Sequence, residues 1–165
     1  MKRIILTCSL LLCWSLYIFC QSANEQTPTI EQMVKRKNFT ISIERMLPSV
    51  GENQLVSNFS LRVLNDSVFC DLPYYGKIYQ MSYRGQDDLV FERPLHEYKI
   101  TEKKQHILIV KFLVRKDGFR HEFTIECNPD GRAYIMLRAD NRSPIQYEGF
   151  FRWGTVELIL RSTTR

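Results

Sequence analysis

"QHILIVKFLVRKDGFRHEFTIEC", residues 105–127, decides the fold. The first half, Gln105 to Arg115, is a long β-type run that is apolar on both faces near its middle. Asp117-Gly118 then supplies the residue types that a tight hairpin turn needs. The return segment puts Phe119, His121, Phe123, Ile125 and Cys127 on one face and Arg120, Glu122, Thr124 and Glu126 on the other. Strict period-two alternation is the mark of a strand with one wet face. Two such runs joined by two turn residues predict an antiparallel hairpin.

The same grammar extends in both directions. Upstream, Phe39, Ile41 and Ile43 alternate with polar residues in "NFTISIERM", as do Phe59, Leu61 and Val63 in "NFSLRVLND". Asn65-Asp66 is a turn signal, so "SVFCDL" is read as the hairpin partner of the strand before it. Downstream, Asn128-Pro129-Asp130-Gly131 turns into "RAYIMLRA". Asp140 to Ser143 turns into "IQYEGFF", and Gly154 precedes a last candidate strand, "TVELILR". The most loop-like internal stretch is "LPSVGENQLVS", residues 47–57. No helical pattern separates these runs, so parallel crossovers are not expected. The expectation is an all-β antiparallel meander of roughly 8–10 short strands, folded as an open barrel or a β-sandwich, in a single domain spanning residues 21–165. One short N-terminal helix is predicted near residues 28–37. Thr27-Pro28 can start it, Ile30, Met33 and Val34 share a face, and Lys35 to Lys37 suit its C-terminal end.

Ahead of the domain, Lys2 and Arg3 precede an uncharged apolar run from Ile4 to Phe19, and polar residues follow from Gln21. This reads as an export signal over residues 1–20, with cleavage after Cys20 or Ser22. Its apolar run is shorter than the ~20 residues a spanning helix needs. The expected location is the periplasm or cell envelope. Membrane contact would come only from lipidation of Cys20 or an uncleaved signal, and Phe19 is bulkier than a lipoprotein cleavage site prefers. Without Lys2 and Arg3, 21 basic residues face 18 acidic ones, a net charge of +3. That is too mild to indicate a nucleic-acid partner. Cys70 and Cys127 remain in the exported domain, where they are either a disulfide pair or two separate buried thiols.

The sequence carries no recognisable catalytic signature. His96, His106 and His121 lack metal-ligand spacing. "HEFTI" starts like a zinc-protease motif, but Ile125 stands where the second histidine must be, so His121 is read as a partly buried strand residue. No serine lies in a G-x-S-x-G elbow, and no glycine loop could cradle phosphate. The Asp87-Asp88 pair reads as a solvated loop, and the sequons at Asn38, Asn58 and Asn65 read as chance. No catalytic residue, metal or cofactor is assigned. "DLPYYGKIYQMSYRG", residues 71–85, concentrates Tyr74, Tyr75, Tyr79 and Tyr83 beside Met81. A tyrosine ring with a polar tip suits a packed corner or a binding rim, and a methionine helps a surface adapt to a ligand. These five are the candidate ligand-binding residues. Three functions follow: a non-enzymatic exported domain binding a small apolar or sugar-like ligand near them, a solid-cored module that binds another envelope protein, or an unrecognised hydrolase using carboxylates paired across strands.

Several segments together resemble a known family. They are Leu47-Pro48, the "NDSV" strand start, "LPYYG" with Tyr79, the Asn128-to-Gly131 turn, and Ile145, Tyr147 and Gly149 in an I-x-Y-x-G pattern. They resemble the exported Bacteroidetes proteins called domain of unknown function 4251, over about residues 33–151. The resemblance implies an exported, mostly β domain and carries no catalytic or ligand residues.

Overall fold

The computed structural model describes residues 28–81 and 89–153. Eight strands follow one short helix: α1 (Ile30–Lys35), β1 (Asn38–Pro48), β2 (Gln54–Leu64), β3 (Ser67–Leu72), β4 (Leu89–Glu102), β5 (Leu108–Lys116), β6 (Phe119–Cys127), β7 (Arg132–Ala139) and β8 (Arg142–Arg152). Each strand pairs antiparallel with the next, and β8 pairs back with β1, so the sheet closes into a meander barrel rather than opening or splitting into a sandwich. Closure leaves no sheet edge running the full length of a strand. The decisive hairpin forms in register from Leu108↔Cys127 to Lys116↔Phe119.

Alternation fills the interior. Tyr147, Phe112, Phe123, Ile125, Ile135 and Ile145 are all less than 2 % exposed. Phe112 and Phe123 stack with centroids 4.9 Å apart. Ile109 and Leu113, on the opposite face of β5, are also buried, as the doubly apolar middle of that strand requires.

Chain direction places the turns at 65–66, 103–107 and 128–131 at one end of the barrel, here the lower. The connections 49–53, 117–118 and 140–141 and the described residues 73–81 lie at the upper end. Helix α1 closes the lower end, with Ile30, Met33 and Val34 joining the barrel core. Tyr98 Oη donates to the Val34 carbonyl at 2.8 Å, and Asn65 N donates to the Lys37 carbonyl at 2.8 Å.

Several expectations need correction. The helix cap is Thr29, not Thr27, which lies outside the described residues. The Thr29 hydroxyl accepts from Gln32 N, and the Gln32 side chain answers the Thr29 N–H in a capping box, leaving Pro28 ahead of the cap. Thr29→Ala should cost about 1 kcal/mol of stability, read as a lower urea midpoint with an unchanged m-value. Only residues 49–53 of the loop-like 47–57 stretch lie between strands, because the flanking residues pair in β1 and β2. Gln105 and His106 belong to a short 3₁₀ turn (Lys104–His106) at positive φ, so β5 starts at Leu108. Cys70 and Cys127 form no disulfide. Both are free, buried thiols, on β3 and β6, which are separated by two other strands. The candidate strand "TVELILR" lies outside the described residues.

Candidate functional site

The upper end of the barrel brings the tyrosine-rich segment together with β8. After β3, residues 73–81 run as a strap to the β7–β8 turn. Ile78 forms an isolated antiparallel bridge with Arg142. Tyr79 N and Gln80 N donate to the Asn141 carbonyl at 2.8 and 3.2 Å, and Ser143 N donates to the Lys77 carbonyl at 2.8 Å. The Asn141 side chain returns a bond to the Gln80 carbonyl at 3.2 Å.

Two side-chain tyrosines lock the start of the strap. Tyr147 points up from the core, and its hydroxyl donates to the Pro73 carbonyl at 2.7 Å. Tyr74 Oη lies 2.9 Å from the Lys77 carbonyl, and 3.2 and 3.0 Å from the carbonyl and Oγ of Ser143. The Arg142 guanidinium stands over the Tyr74 ring at 4.7 Å. Gly76 is required by this closeness: a Cβ there would stand 2.5 Å from Ser143 Oγ and 2.7 Å from Tyr74 Oη. The motifs "LPYYG" and Ile145-x-Tyr147-x-Gly149 are therefore one structural lock, seen from its two sides.

The five tyrosine-stretch candidates separate into different roles. Tyr74 is half-buried and structural. Tyr75, Tyr79 and Met81 are 55 %, 66 % and 73 % exposed. The Tyr75 ring covers Gly51 of the β1–β2 loop, where a Cβ would come within 3.1 Å of it. Tyr83 lies outside the described residues.

Beneath the strap is a polar cluster that the sequence reading did not assemble. Lys116, His121, Asn141, Arg142 and Ser143 are all buried. Lys116 Nζ lies 5.7 Å from the centre of the Phe91 ring, and Arg142 Nε donates to Asn141 Oδ1 at 3.3 Å. His121 is only 1 % exposed, more deeply buried than expected. Its Nδ1 faces the Phe119 carbonyl at 3.3 Å, and since a carbonyl only accepts, Nδ1 carries the proton. Nε2 is then a buried acceptor with no partner among the described residues. Burial pulls the His121 pKa down to about 4, with the positive charges of Arg142 and Lys116 adding to the effect. Lys116 and Arg142 sit beside turns at inward-facing strand ends, and in sequence they look like ordinary turn-flanking charges.

The thiols are held protonated. Burial raises the Cys70 pKa well above the usual thiol range and that of Cys127 up to about 12. Among the described residues no group of three or more His, Cys, Asp or Glu side chains could hold a metal.

Such a chain defines a class of small, closed, antiparallel β-barrels with a helix at one end and a tyrosine-locked strap across the other. The sequence profile of the family described as "Domain of unknown function (DUF4251)" matches residues 21–151, and the chain belongs to that family. Its fold is similar to a crystal structure of a DUF4251 family protein from Bacteroides eggerthii DSM 20697. The TM-score is 0.58 at 12 % identity, over 78 % of this chain and 88 % of that one. No curated protein matches it.

Proposed function

We propose that this protein is an exported, non-enzymatic module that binds another envelope protein through the exposed side of its upper strap. One contrast carries the reading. The interior is packed with side chains such as Tyr147 and Phe112, while Tyr75, Tyr79 and Met81 stay exposed on a backbone pinned at both ends of the strap. A pinned segment presents its rings at low entropic cost, and tyrosine and methionine are enriched where proteins meet. A filled interior favours this over a small ligand held inside the barrel. The protonated thiols and the neutral, enclosed His121 favour a non-enzymatic role, because none is an accessible nucleophile or base at neutral pH. Export rests on the pattern of Lys2 to Phe19, and Cys20 supplies a lipid anchor only if cleavage falls before it.

The test places a photo-cross-linking residue at position 75 or 79 and, as a control, at exposed Tyr134 on β7, in cells of the native host. One discrete adduct from positions 75 and 79, missing from 134, is the expected result. Tyr75→Ala with Tyr79→Ala should weaken the purified partner's binding at least roughly thirtyfold, as loss of interface anchors does. Equal adducts from all three positions would remove the strap from the interface. A small molecule released on denaturing the native protein would turn the reading toward ligand binding.

A further inference from the structure

We infer a second, separate site: a groove on the outer wall of the barrel that binds a neutral saccharide. The barrel's pairing register writes its chemistry. One outward row runs Arg152–Thr40–Arg62–Phe69–Glu92 across β8, β1, β2, β3 and β4. The next runs through Ser42, Ser60, Asp71 and Val90. Thr40, Ser42 and Ser60 in the middle are small, and larger side chains stand to either side. The groove, open to solvent, measures about 590 Å³, against roughly 300–1,000 Å³ for small-ligand sites.

Its two carboxylates are left open to a ligand. On an ordinary wet sheet face, Arg62 would be expected to swing toward Asp71 or Glu92. Instead its guanidinium carbon lies over the Phe69 ring, 4.0 Å from the centroid. Among the described residues neither carboxylate takes an ion-pair or hydrogen-bond partner from its side chain. Val90, 59 % exposed, and the part of the Phe69 ring that Arg62 leaves uncovered supply the apolar surface. Arg152, tied to Ser42 Oγ at 2.9 Å, holds the opposite side.

A pyranose ring matches this set. Its C–H face rests on Val90 and the uncovered part of the Phe69 ring, and its adjacent hydroxyls donate to Asp71 and Glu92 and accept from Arg62 and Arg152. Hydroxyls of Thr40 and Ser60 line the floor. Two cations against two anions give the groove no net charge, which disfavours a strongly ionic ligand. The groove shares no residue with the strap, so the two sites fail independently.

The experiment records amide chemical shifts of the isotope-labelled mature protein. Glucose, galactose, mannose, N-acetylglucosamine, cellobiose and lactose are titrated in turn, with glutamate as a charged probe. Saturable shifts at Thr40, Ser60, Arg62, Phe69 and Val90 with at least one sugar are expected, weakened roughly tenfold or more in both Asp71→Asn and Phe69→Ala. These side chains stand on the outer wall, outside the packed interior. The proposal is overturned if no sugar moves those amides, if both variants bind as well as the parent, or if glutamate moves them more strongly than every sugar.

Discussion

Gly149→Ala should be the most damaging single-methyl change in the barrel, costing roughly 3 kcal/mol or more. Gly149 lies opposite Ile43, beside the β1 register shift between Ile43 and Arg45. Beside that bulge a Cβ at position 149 would run into the Ser42 carbonyl oxygen, with Ile41 Cγ2 only 3.2 Å away. Backbone cannot rotate aside as a flexible side chain can. The two strands must separate where the sheet closes on itself, or the bulge must be lost. Either change disturbs the inward set of Ile41, Ile43 and Tyr147. Gly118→Ala is the control. Gly118 also has a special backbone, at φ +85, but open space where a Cβ would point. It should cost only about 1 kcal/mol. Urea unfolding followed by circular dichroism measures both. Equal losses would mean that closure at Gly149 is no tighter than an ordinary turn. Against a total stability of roughly 5–15 kcal/mol, the Gly149 variant should unfold well before the other.

What the sequence revealed and what it concealed follow from the range of the forces involved. Hairpins are local, so Asp117-Gly118 and the alternation of Phe119 to Cys127 were enough to place β5 and β6. Strand β4 was harder to read because its parity changes. Leu89, Phe91 and Leu95 face inward at odd positions, then a register shift between His96 and Lys99, with Glu97 at φ +53, puts Tyr98 and Ile100 inward at even ones. Pro94 adds a residue that normally argues against strand. Barrel closure depends on β8 meeting β1 from the far end of the sheet, as in the pairing of Thr40 with Arg152, and no local pattern encodes that. The tyrosines show the same limit. Tyr74 and Tyr75 are neighbours of one residue type. Only the presence of Ser143 and Arg142 in space decides that Tyr74 turns in and Tyr75 out. The motif "LPYYG" could be recognised in sequence, but its partner Tyr147 could not be identified as such.

Acid should weaken this protein through His121, between about pH 6.5 and pH 4. In the folded state its pKa falls from the ordinary 6.5 to about 4. The causes are burial first, then the nearby positive charges of Arg142 and Lys116. The Nδ1 contact with the Phe119 carbonyl and the charge of Asp140 pull the other way. Above pH 6.5 the imidazole is neutral in both states and contributes no slope. As pH drops through 6.5 the unfolded chain takes up a proton that the folded chain refuses, so stability falls with pH. The loss levels off near pH 4, where the folded state also protonates, and should total roughly 3 kcal/mol. Protonation would also place a third positive charge among buried Lys116 and Arg142, directly below the strap that Asn141 and Ser143 hold. Exchange of the Tyr79 and Gln80 amides should therefore rise before the β5–β6 hairpin opens. His121→Gln keeps a polar group of similar reach but cannot titrate. Unfolding midpoints taken across the pH range should slope for the parent and flatten for the variant. Parallel slopes would mean that carboxylates elsewhere, not His121, carry the acid sensitivity.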